Sequence, residues 1–253
     1  MNNGLWTSVK DNVVFVLVSV GIAIALFGIA YLAEKLIKKK YNDTERILTT
    51  RKMAMIGVFS AVAMVLHIFD FPVFFAPPFY KLDFSELPAL IGTFAFGPVA
   101  GVMIEFCKIV LKLFIKGTST AFVGDLANFV IGCSFILPAS IIYMFKKTKK
   151  NAIVASATGT MIMTVFGTMF NAIYLLPAFA SLYGMPLDVI VGMGTAINAN
   201  ITNVTTLVLF AVAPMNLLKG CSVSVATVLV YKKLSPVLKE GRISKRAKAV
   251  EEG

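Results

Sequence analysis

Residues 13–33, VVFVLVSVGIAIALFGIAYLA, run for 21 positions without a charged side chain. A helix rising about 1.5 Å per residue needs about 20 such residues to cross a hydrocarbon core roughly 30 Å thick, so this stretch is long enough to span a bilayer. A cleaved leader would have a shorter apolar core, about 7–15 residues, behind a basic start. Here Asp11 and Asn12 precede the run, and the segment is expected to be retained. The rest of the chain is of the same kind: 58% hydrophobic and 15% charged, which defines an all-α polytopic membrane protein rather than a soluble domain.

The net charge of +11 does not point to nucleic acid, because the basic residues gather at segment ends, in 35–40, 46–52, 146–150 and 232–248. Positive loops stay cytoplasmic, so the four clusters mark one face of the membrane. Cys107, Cys133 and Cys221 stand alone in apolar sequence, without metal-site spacing, and are expected to pack.

The remaining spans follow from that face. Residues 53–69 run outward to the DFPVFFAPP loop, whose prolines cannot continue a helix. Residues 87–96 return, Gly97-Pro98 makes the inner turn, 99–115 go out, 122–145 come in and 153–176 go out again. The segment 197–213 is apolar but carries Asn198, Asn200 and Asn203; if it spanned, the basic tail would be left outside. Residues 178–213 are therefore expected to form an external, partly helical loop. The last span is 214–231, with Pro214 in its first turn, where the missing N–H costs nothing. The expected organisation is an N-terminal helix and basic linker over 1–50, a six-helix unit over 51–234, and a basic cytoplasmic tail over 235–253.

Charged and amide side chains in this apolar background need a reason, since an ionisable group at mid-membrane costs about 2.5 to 3.5 kcal/mol on insertion scales. Glu105, Lys108 and Lys112 fall on one helix face, either as a salt bridge with a snorkelling lysine or as ligand groups. Asp125 is an early-turn acid that suits a helix dipole, while Asn128 lies deeper. Asn128 and Asn171 carry amides that both donate and accept, suited to a polar heterocycle or to bonds between helices. Asn216 and Lys219 share a face near the outer start of the last span, where a lysine requires a partner. Phe74, Phe75, Phe79 and Tyr80 in the first external loop form either an interfacial belt or a roof over a flat ring. Gly57 and Ala61 make a small-x-x-x-small surface for close helix approach. His67, the single histidine, reads as a packing or interface residue. No G-x-x-x-x-G-K-[ST] motif occurs, so ATP hydrolysis must come from another chain.

Four segments, in order, resemble one family: FYKLDFSELPA at 79–89, FGPVAG at 96–101 with Glu105 and Lys108 following, GDLANF at 124–129, and PMNLLKG at 214–220. The chain is similar to the substrate-binding S components of energy-coupling factor (ECF) vitamin transporters, and within them to the riboflavin-specific branch. The resemblance covers about residues 51–234 and implies a six-helix S-component bundle, here preceded by one additional transmembrane helix. It implies a plasma-membrane subunit that captures riboflavin outside and docks on a scaffold subunit with two ATPases. It implies substrate contacts from Tyr80, Lys81, Asp83, Asn128, Asn171, Asn216 and Lys219, and docking through an Ala-x-x-x-Ala motif in which Gly57 replaces the first alanine before Ala61. Riboflavin would be the transported ligand, and no cofactor, metal or nucleic acid is expected.

An S component for a different vitamin is the nearest alternative. A membrane-embedded lipid-modifying enzyme would need an acid and base pair on the cytoplasmic side, where only Glu105 and Lys108 approach the requirement. A stand-alone ion-coupled carrier would be expected to show an inverted repeat, and none is evident.

Overall fold

Thr49 and Thr148 sit in extended backbone and accept hydrogen bonds from the amides of Lys52 and Asn151, opening helices within the basic clusters. The computed structural model describes residues 13–118, 120 and 122–230. The basic tail expected over 235–253, the cluster at 232–248 and the end of the unit at 234 lie outside these residues. Helices α1 (Val13–Lys40) and α2 (Thr50–Ile68) are followed by a short antiparallel hairpin of β1 (Phe71–Pro72) and β2 (Lys81–Leu82). Then come α3 (Glu86–Phe96), α4 (Pro98–Lys116), α5 (Val123–Phe145) and α6 (Lys149–Phe170). Beyond α6 the chain continues through a π turn, Asn171–Leu175, into α7 (Leu176–Tyr183), then α8 (Leu187–Thr195) and a last helix α9 (Val204–Val230). Five helices among the described residues, including α1, are long and apolar enough to cross a membrane.

One segmentation differs from the sequence reading. The last helix begins at Val204, where Asn203 and Thr206 form a reciprocal capping box, so 204–213 belong to the helix and not to the loop before it. Pro214 is therefore in the helix interior. It is accommodated by a π turn over Val208–Val212, in which the Ala213 amide reaches back to the Val208 carbonyl. The same device precedes Pro177, where the Leu176 amide bonds to Asn171 O. A proline lacks an N–H and crowds the carbonyl four residues earlier. In both cases that carbonyl, of Phe210 or Ile173, falls inside the widened turn.

Three of the four apolar clusters among the described residues hold the bundle. The central one packs Ile56, Leu90, Phe94, Ile104, Phe135, Ile136, Tyr143 and Met163, with the Phe94 and Tyr143 rings stacked at 4.4 Å. A second joins the hairpin residues Val73, Tyr80 and Leu82 to Leu176, Ile190, Val191, Ile201, Leu207, Val212 and Met215, closing one end of the bundle. This is the hairpin end, where α7 and α8 pack, the segment from 178 expected as a partly helical loop. The third cluster sets α1 against α4 and α5 through Ala30, Val99, Val102, Phe129 and Cys133. Cys133 packs as expected, whereas Cys221 is on the exposed surface.

Helix α3 has 11 residues and covers about 17 Å, roughly half a hydrocarbon core. The chain leading into it is consequently sunk among its neighbours: Asp83, Ser85 and Glu86 are all buried.

Candidate functional site

Charged side chains brought together at the hairpin end make one continuous buried path. Asp83, in the turn between β2 and α3, accepts the Ser85 amide through Oδ1 at 2.8 Å. Its Oδ2 receives Lys219 Nζ from α9 at 3.1 Å and lies 3.4 Å from His67 Nδ1 on α2. Lys219 also reaches Glu86 Oε2 at 2.8 Å. Glu86 is in turn 3.4 Å from Lys108 Nζ on α4, which donates to Ser85 Oγ at 3.0 Å and pairs with Glu105 one turn earlier on the same helix. Burial by itself would raise the Asp83 carboxyl, but the Lys219 ammonium and the His67 imidazole beside it hold it well below the usual carboxylate range. A carboxylate in so apolar a place is tolerated because each acid meets a cation and each cation meets more than one oxygen.

Beside this path stands a group of amides. Tyr80 Oη donates to Asn171 Oδ1 at 3.0 Å, and Asn171 Nδ2 donates to Gly167 O at 2.7 Å. Burial pushes the Tyr80 phenol up, which keeps it protonated and a donor. Asn216 packs on the same Gly167: a methyl group there would lie 2.7 Å from Asn216 Nδ2, so glycine is what permits the approach. Asn216 is 3% exposed, and its Nδ2 donates to nothing among the described residues. A buried amide without a partner costs about 1–3 kcal/mol, and a polar ligand would remove that cost. Asn171 begins one π turn and Asn216 lies just past the other; such turns are frequent at functional sites.

Aromatic residues cover this end. Phe79 packs edge-on against Phe179 of α7 at 6.3 Å and lies 4.6 Å from the Tyr80 ring, while Phe74 at the hairpin tip is 92% exposed.

The candidate residues separate accordingly. Tyr80, Asp83, Asn171, Asn216 and Lys219 converge. Asn128 is half-buried on α5, and its side chain forms no hydrogen bond with the described residues. Lys81 turns the other way: its ammonium pairs with Asp70 at 3.2 Å, and the side chain is 45% exposed. Lys112 and Asp125, read separately in the sequence as a snorkelling lysine and a dipole acid, pair with each other at 2.6 Å. Gly57 and Ala61 are both exposed, on a flank of α2 beside the buried stripe of Ile56, Ser60, Ala63 and His67.

Sequence reasoning did not find the parts played by His67, Ser85 and Gly167. His67 follows Ile56, Ser60 and Ala63 at helical spacing, which places it on the buried face, and a mid-helix glycine such as Gly167 signals a close approach.

A helical membrane bundle with hydrogen-bonding side chains gathered beneath an aromatic cap is a substrate-binding membrane protein. A family model for the ECF transporter substrate-specific component matches residues 51–231, and the chain belongs to that family. It is 36% identical to "Riboflavin transporter RibU" of Staphylococcus aureus (strain TCH60), over 75% of this chain and 93% of that protein. It is 31% identical to "Riboflavin transporter FmnP" of Bacillus subtilis (strain 168), over 77% of this chain and 97% of the relative. Among solved structures, the S component of a bacterial ECF transporter superposes with a TM-score of 0.58 at 34% identity, over 75% of this chain and 98% of the other. The protein is thus a transporter component rather than an enzyme, and works with partner modules that carry the ATPase.

Proposed function

We propose that this chain is the riboflavin-binding subunit of an ECF-type transporter, taking riboflavin at the outer face of the plasma membrane. It would hand the ligand inward with a scaffold subunit and two ATPase subunits. The observation that carries this reading is the buried Asn216 amide, which has no partner among the described residues, packs on the Gly167 to which Asn171 bonds, and lies one turn before Lys219. Riboflavin is neutral and flat, with a ring edge that both donates and accepts and a polyhydroxyl tail. Amides and one acid-held lysine match those groups, and the rings of Phe79 and Tyr80 match the flat face. The two relatives named as riboflavin transporters support the same ligand.

Orientation follows from charge. With the basic clusters cytoplasmic, the hairpin end faces outward and the C-terminus lies inside. The unit extends over 51–234, and the exposed Gly57 and Ala61 surface of α2 is where the scaffold subunit docks, since small residues allow helices to meet closely.

The test is to purify the protein in detergent, record its absorption for a carried flavin, and titrate riboflavin while following flavin fluorescence. Saturable binding of one flavin per chain is expected. Absence of flavin binding alongside tight binding of another vitamin would move the protein to a different branch of the family.

A further inference from the structure

Helix α1 precedes the family match, which begins at residue 51. Yet its basic end enters the inner end of the unit through one buried carboxylate. Glu34, 1% exposed, accepts the Val99 amide at 3.1 Å in the first turn of α4 and lies 3.5 Å from Lys52 Nζ in the first turn of α2. Gly97, between α3 and α4, has φ +106°, and a methyl group there would come within 2.8 Å of Glu34 Oε2. Glycine is required at that position twice over, by its backbone and by the carboxylate against it. Three features of the inner end therefore suit an anion: a free amide and the positive dipole end of a 19-residue helix, a lysine ammonium, and a residue with no side chain.

We propose that Val99 N–H, Lys52 and Gly97 form a carboxylate-binding cradle whose dedicated occupant is Glu34, making α1 a fixed seventh member of the unit. Further contacts act at the same end. Tyr41, just past α1, donates to Phe145 O at the end of α5 at 2.7 Å, and Lys40 Nζ lies 4.8 Å from the Phe145 ring centre. Lys38 bonds to Glu45 O at 2.8 Å and to Asp43 at 3.0 Å, folding the linker back on the helix. Along its length α1 packs on α4 and α5, with Phe27 edge-on to Phe106 at 5.7 Å. That flank of the unit is consequently occupied and closed to any other helix. None of this depends on which ligand the other end binds.

The test uses the full chain with a protease site inserted after the exposed Arg46, purified in detergent, cut, and passed through gel filtration. The N-terminal fragment is expected to remain with the rest of the wild-type chain. With Glu34→Ala the retained fraction should fall about tenfold or more, as expected when one member of a buried charged pair is removed. Glu34→Gln keeps an acceptor for Val99 N–H and should lose less. Lys52→Met, which alters a partly exposed side chain, should also lower retention, and carries the test if Glu34→Ala does not elute as a single species. Separation of the wild-type fragment in the same buffer, or retention as full as wild type in both Glu34→Ala and Lys52→Met, would overturn the proposal.

Discussion

Lys219 Nζ, projecting from the last helix, lies 3.1 Å from Asp83 Oδ2 in the turn after the hairpin, 136 residues away in the chain. A lysine in the interior of a membrane helix is unfavourable alone; Asp83 and Glu86 supply the opposite charge. The pair therefore joins the element that closes the hairpin end to the helix that carries Asn216.

Lys219→Met should weaken riboflavin binding and also destabilise the protein, because it leaves two buried carboxylates facing one fewer cation. Removing one partner of a buried pair costs on the order of 3 kcal/mol. Adding Asp83→Asn to that variant should recover much of the stability without restoring affinity. Thermal melting in detergent and a riboflavin titration on the four chains of this cycle separate the two effects; equal recovery of both would remove Lys219 from direct ligand contact.

The Asp83 contribution should not vary across mildly acidic pH. Its carboxyl is held below the ordinary range in the folded chain, so the stabilisation is fully present above the unfolded value. It is lost only as pH falls through the lower folded value. The difference in melting temperature between His67→Gln and His67→Gln/Asp83→Asn, with the neighbouring imidazole absent from both chains, should accordingly stay constant from about pH 8 to pH 5. A difference that shrinks over this interval would mean that the carboxylate is not held by its cations in this way.

The spans were legible because apolar runs and basic clusters act locally. The fold's long-range pairings were not, and they decide the site. Glu105 and Lys108 were visible as neighbours on one helix, but the second link from Lys108 to Glu86 crosses from α4 to α3 and leaves no periodic trace. Lys112 and Asp125 each had a sufficient local explanation, and only the packing of α4 on α5 shows that they pair. The last helix is read ten residues late from the sequence because charge bias sets 197–213 aside: as a separate span it would leave the basic tail outside. Asn203 instead caps the helix, and the π turn absorbs Pro214.

Asn171 and Asn216 should respond differently to truncation. Asn171→Ala breaks its bonds to Tyr80 and Gly167, so it should cost about 1–3 kcal/mol in stability as well as affinity. Asn216→Ala removes an Nδ2 that bonds nothing within the described residues, so the fold should lose little. Binding should fall about tenfold to a hundredfold if that amide meets the ligand. Melting curves beside riboflavin titrations distinguish the two; unchanged affinity in Asn216→Ala would place the ligand elsewhere.

Gly57→Leu should leave riboflavin binding within experimental error while abolishing uptake by cells that contain the complete transporter. Gly57 is exposed, and a methyl group built there meets nothing within 4 Å, so a larger side chain does not disturb the bundle itself. It would, however, hold an approaching helix away from Ala61 and weaken the close packing that small residues permit. Gly57→Ala, which keeps the surface small, should support uptake near the wild-type rate. Measuring radiolabelled riboflavin uptake in cells alongside binding by the purified subunit decides the matter: normal uptake with leucine at position 57 would exclude this face of α2 from docking.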